Sequence, residues 1–127
     1  MKEKKDHKIK LYKSFGFAFE GIGNTILHER NMQIHCLVTV LVVIFGFILK
    51  ISLIEWYVCL MLFALVMSLE LVNTALEAVV DLVTEERKPL AKKAKDAAAG
   101  AVLMSAIIAA ILGGIIFFPK LWLLITI

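Results

Sequence analysis

Apolar positions in this chain gather into three long runs divided by short polar stretches, and a segment of helical alternation precedes them. Over residues 9–28, Lys13, Phe17, Glu20, Asn24 and His28 share one helical face, while Tyr12, Phe15, Phe19, Ile22 and Ile26 share the other. That pattern predicts an amphipathic helix lying in a membrane surface, although Gly16, Gly21 and Gly23 leave it weak in isolation. Residues 34–49 form an apolar run with His35 as its only ionisable group, and the run can extend past Lys50 to 54, long enough to span a bilayer. Residues 56–83, apolar except for Ser68, Glu70, Asn73, Thr74, Glu77 and Asp81, predict a second span with a polar face. The charged stretch 84–96, with Pro89, is expected to be a loop in water or among headgroups. A third span is expected over 97–118, stopped by Pro119 and Lys120, with Trp122 as an interfacial anchor.

The expected fold is therefore an all-α integral membrane bundle of three transmembrane helices plus an N-terminal surface helix, one domain over 1–127. The third run carries small residues in two rows, Ala97, Ala101, Ser105, Ala109 and Gly113 beside Ala106, Ala110 and Gly114. Such rows let another helix approach closely.

With 61% hydrophobic side chains, the composition excludes an ordinary soluble domain, where about half of residues are apolar. Cys36 and Cys59 lie inside apolar runs without metal-type spacing, which argues against a disulfide frame or a zinc site. The charged start MKEKKDHK does not resemble a signal peptide. Basic residues concentrate before the first span (Lys2, Lys4, Lys5, Lys8, Lys10, Lys13) and between the second and third (Arg87, Lys88, Lys92, Lys93, Lys95). Both stretches are thus expected on the cytoplasmic side of the cell membrane.

At about 100° per residue, Glu70, Asn73, Thr74, Glu77 and Asp81 occupy an arc of roughly 100°. An ionisable group at membrane depth costs about 2.5–3.5 kcal/mol even on the gentler insertion scales. Several on one face therefore need partners, a cation or a function; a buried polar seam that fixes helix register is the plainer alternative. Carboxylates near a cytoplasmic surface with lysines close by suit a phosphate and Mg²⁺ site, because Mg²⁺ takes one or two protein carboxylates and completes its shell with phosphate and water. Lys95 can neutralise phosphate as a point cation, and Asp96 reads equally well as part of that site or as the N-cap of the third helix. His28 and His35 lie off the acidic face and are expected to pack and hydrogen-bond at the interface. Without a GxxxxGK loop or a kinase-type Gly-rich sequence, a soluble nucleotide-binding fold is excluded.

The run Glu70-Leu-Val-Asn-Thr-Ala-Leu-Glu-Ala-Val-Val-Asp81, followed by Ala94-Lys-Asp-Ala-Ala-Ala-Gly-Ala-Val-Leu103, resembles the signature of the small trimeric prokaryotic diacylglycerol kinase family. His28-Glu-Arg-Asn31, Ile54-Glu-Trp56 and Pro89-Leu-Ala-Lys-Lys-Ala-Lys-Asp96 look closest to its Gram-positive undecaprenol kinase branch. The resemblance implies ATP as phosphoryl donor, Mg²⁺ as cofactor, a lipid alcohol as acceptor (undecaprenol, alternatively diacylglycerol) and a homotrimer with sites between subunits. It implies that Glu70 is the general base at the lipid hydroxyl and that Glu29 and Glu77 hold the metal. Lys95 and Asp96 match nucleotide contacts, as do Lys10, Phe17, Glu86, Arg87 and Lys88. Lys10 stands where relatives can have Arg, and Phe17 where they can have Tyr, so a bidentate or hydroxyl contact is not available there. No nucleic-acid partner is expected. A non-enzymatic proton-relay or ion-conducting bundle is the rival of another class. It would need acidic residues toward the far side, yet no charge lies between Asp96 and Lys120. A purely structural packing module is a further rival, and it leaves Glu29 and the lysines without a role.

Overall fold

The computed structural model describes residues 10–127, so the start of the surface helix at residue 9 and the lysines before it lie outside the described residues. Four helices follow one another, α1 (Leu11–His28), α2 (Arg30–Ile48), α3 (Leu53–Val83) and α4 (Pro89–Thr126). The last three are long and apolar enough to cross a membrane, and this is a multi-pass membrane protein. The expected all-α architecture holds among the described residues.

α1 and α2 are separated by one extended residue, Glu29 (φ −98°, ψ 116°), whose N–H bonds to the Thr25 carbonyl. Thr25 is buried at this bend and its hydroxyl donates to the Gly21 carbonyl at 2.9 Å. The apolar face of α1, with Phe15 and Phe19, is left uncovered by protein, as an interfacial helix requires. The three long helices likewise leave Leu41, Phe47, Leu60, Met61, Ile107 and Ile115 uncovered, a surface matched to lipid rather than water.

The helix ends depart from the expected spans for local reasons. The first span was expected over 34–54, but α2 begins at Arg30 and stops at Ile48. Lys50 takes the left-handed conformation (φ 51°), and Ser52 then caps α3 reciprocally with Glu55: the Ser52 N–H donates to the Glu55 carboxylate at 2.7 Å and the Glu55 N–H to the Ser52 hydroxyl at 3.2 Å. This capping box fixes the start of α3 three residues before the expected 56. α4 is longer than the expected 97–118 at both ends. Pro89 occupies its first turn, where a missing N–H is harmless and the fixed φ suits the helix. Much of the expected loop 84–96 is therefore helical, and Asp96 is not an N-cap. Pro119 lies inside α4 without ending it, since local adjustments re-satisfy the freed backbone groups of membrane helices.

α3 and α4 make the most extensive contact, and α1 packs on both α2 and α3. Near the α2–α3 turn an apolar core of Ile51, Cys59 and Ile116 is completed by Val42, Trp56, Val58, Phe63 and Phe117. Gly46 is required there, because a Cβ would come within 2.6 Å of the Trp56 ring and 3.3 Å of Ile51. At the same end Lys120 of α4 pairs with Glu55 of α3 at 2.9 Å. The two small-residue rows of α4 follow its packed face within the chain only in part, at buried Ser105 and half-buried Ala106, Ala109 and Gly113. Ala97, Ala101, Ala110 and Gly114 are exposed, and a Cβ on Gly113 or Gly114 would meet nothing. The packed face runs through Ala94, Ala98, Val102, Ser105, Leu112 and Ile116.

Candidate active site

Helix length decides where the polar residues sit. About 20 helical residues cross the hydrocarbon of a bilayer, and α3 has 31. Counted from Leu53, the apolar layer ends near Asn73, with Glu70 about one turn inside it and Glu77 about one turn beyond. The same count back from Ile48 along α2 reaches Glu29, and back from Lys120 along α4 reaches Gly100, leaving Lys95 and Asp96 outside. Three helices therefore deliver ionisable residues to the same end of the bundle, Glu70 within the apolar layer and Glu77, Lys95 and Asp96 beyond it.

Glu70 is only 1% exposed, and its Oε2 has no hydrogen-bond partner among the described residues. Asn73 Oδ1 and Thr74 Oγ1 are likewise buried and unpartnered. Unsatisfied groups of this kind cost about 1–3 kcal/mol each, more where charged, so three in one stretch of helix mark a candidate site. Asn73 turns its amide along its own helix, donating to Glu77 Oε1 at 3.3 Å. Glu77 lies two helical turns along the same face of α3 as Glu70, and α2, which follows directly on Glu29, packs against α3. Glu29 stands at the N-cap of α2 yet its side chain makes no capping bond, so its carboxylate remains available. Mg²⁺ takes one or two carboxylates from protein, a number that Glu29 and Glu77 could supply. No group of three or more His, Cys, Asp or Glu that could hold a metal by itself forms among the described residues.

His35 was expected off the acidic face, at the interface. Instead α2 packs it against α3, with its Nε2 4.0 Å from Glu70 Oε2. It also lines an apolar groove of about 730 Å³ that runs between α2, α3 and α4 past Val38, Val42, Val66, Ala110 and Phe117. Sequence reasoning missed this neighbour because each face was read on one helix at a time. The available signal was that His35 is the only ionisable group within its apolar run.

The loop-side residues are brought near but arranged differently from expectation. Lys95 Nζ bonds Asp81 Oδ1 at 2.5 Å, tying α4 to the end of α3, and Lys92 pairs with Asp96 along α4. Glu86, Arg87 and Lys88 are exposed in the α3–α4 connection, with Lys88 and Glu86 3.8 Å apart. Lys10 caps the start of α1 without a side-chain bond, and Phe17 lies two turns along, also exposed.

A family model described as prokaryotic diacylglycerol kinase matches residues 16–117. The chain belongs to that family. As a member of the prokaryotic diacylglycerol kinase family it is a membrane kinase with ATP as phosphoryl donor, and the ion-conducting and purely structural alternatives fall away. It is 48% identical over 122 residues to the undecaprenol kinase of Bacillus subtilis (strain 168), covering 94% of this chain and 99% of that one. It is 45% identical over 112 residues to the diacylglycerol kinase of Synechocystis sp., covering 87% of this chain and 64% of that one. With the diacylglycerol kinase of Escherichia coli (strain K12) it shares 29% identity over 102 residues, 80% of this chain and 84% of the other.

Proposed function

We propose that this kinase transfers the γ-phosphate of Mg-ATP to the hydroxyl of undecaprenol, with Glu70 as general base and Glu29 and Glu77 as metal ligands. The observation that carries the mechanism is the buried Glu70 carboxylate, with an oxygen unpartnered among the described residues, on the same face of α3 as Glu77 and near the end of the apolar layer. The lipid O–H gives its proton to Glu70, and the oxygen attacks the γ-phosphorus. The bond from that phosphorus to the β-bridging oxygen breaks, ADP leaves, and Glu70 returns the proton to water. Bound Mg²⁺ offsets charge on the phosphate oxygens, the main demand of phosphoryl transfer. Lys95, Asp96, Lys10, Phe17, Glu86, Arg87 and Lys88 form the nucleotide side of the site. Lys95 and Asp96 exchange their present partners, Asp81 and Lys92, for the nucleotide.

The working unit is a homotrimer in the cell membrane, with the N-terminus and active site cytoplasmic and residues 1–127 acting as one domain. Undecaprenol is favoured by the 48% identity to an enzyme of that name over nearly the whole of both chains. The apolar groove beside the site adds to this, since it offers few donors to the ester carbonyls of a diacylglycerol. Diacylglycerol is the second reading, supported by the 45% identity to the Synechocystis enzyme. Turnover of the two lipids at equal surface concentration in the same mixed micelles separates them. Clearly faster phosphorylation of undecaprenol is expected; equal or reversed preference would overturn the substrate while leaving the lipid-kinase chemistry intact.

A further inference from the structure

We infer that His35 is a positioning residue for this reaction, donating from Nε2 to Glu70 Oε2 so that the second carboxylate oxygen is held toward the lipid hydroxyl. The inference rests on the proposed role of Glu70 as base. Three observations carry it. His35 Nε2 stands 4.0 Å from Glu70 Oε2, and that oxygen is buried without a hydrogen-bond partner among the described residues. His35 also forms part of the groove wall, so one side chain faces both the reacting carboxylate and the apolar space beside it.

The separation is about 1 Å longer than a hydrogen bond, and catalytic hydrogen bonds are often long before substrate binds and tighten in the reacting complex. A small rotation of either side chain closes it. A carboxylate free to turn in an apolar layer presents either oxygen in a range of directions, and a displacement of about 1 Å can cost on the order of 100-fold in rate. One fixed oxygen leaves the other aimed. The His35 backbone lies within the α2 helix, so the ring moves mainly by side-chain rotation.

Chain length gives the test. The glutamine amide nitrogen reaches about as far as histidine Nε2, whereas the asparagine nitrogen reaches only as far as Nδ1. In full-length protein in mixed micelles, H35Q is expected to keep kcat within about threefold of wild type, and H35N and H35L to lose between about 10- and 100-fold. KM for ATP is expected to stay within about twofold in all three. Equal kcat in H35Q and H35N, whether both high or both low, would overturn the inference, as would a matching rise in KM for ATP. The contrast between two small amides stands even if H35L fails to fold. E70Q run alongside keeps the failures apart: an active E70Q defeats the base assignment itself, whereas an inactive E70Q with undisturbed His35 variants defeats only this inference.

Discussion

Glu77 holds its position through Asn73, which donates to one carboxylate oxygen and leaves the other for a cation. Removing the charge while keeping the shape should therefore weaken the metal and spare the fold. E77Q is expected to need about tenfold or more Mg²⁺ for half-maximal turnover, read from a magnesium titration at fixed ATP, with an unchanged melting profile in detergent. An unaltered magnesium requirement would remove Glu77 from the metal site. The spacing of Glu70, Asn73, Thr74, Glu77 and Asp81 made this face legible in the sequence, because all five lie on one helix and helical period alone aligns them. His35 was not legible in that way. It sits on α2, whose composition is nearly uniformly apolar, so no periodicity said which side would meet α3. The partners Asp81 for Lys95 and Lys92 for Asp96 were hidden for another reason: a helix beginning at Pro89 turns a supposed loop into a register of side chains.

Spans could be counted at the scale of elements, but their ends depended on local devices. The run 34–54 looked continuous because Ile51, Leu53 and Ile54 are apolar. The left-handed Lys50 and the Ser52–Glu55 box instead turn the chain into α3. That turn is packed by Trp56 over Gly46, with no space for a side chain. G46A is expected to lose about 1–3 kcal/mol of stability, measured by unfolding in detergent, and the loss should shrink when Trp56 is also replaced by Phe. An unaffected G46A would mean that the turn does not rely on this contact. The two ends of the helices also differ in charge, which bears on orientation. Single cysteines at Ser52 and Lys92, in a chain lacking Cys36 and Cys59, can be probed on intact cells with an impermeant thiol reagent. Labelling at 52 and protection at 92 is expected; the opposite pattern would invert the topology.

Across the whole molecule, a dry apolar core closes one end of the bundle and unsatisfied polar groups collect at the other. Apolar packing and buried polar groups are thereby separated along the helix axis, and three independent helix lengths bring Glu29, the Glu70–Glu77 face and Lys95 to the same end of the bundle. The account stands on Glu70 as the group that activates a lipid hydroxyl there. Its most direct test is transfer of labelled γ-phosphate from ATP to undecaprenol by purified wild-type and E70Q chains, with Mg-ATP binding measured on the same preparations. Wild type is expected to label the lipid, and E70Q to fall by about 10²–10⁴-fold while binding Mg-ATP within a few-fold of wild type. Near wild-type labelling of the lipid by folded E70Q would contradict it.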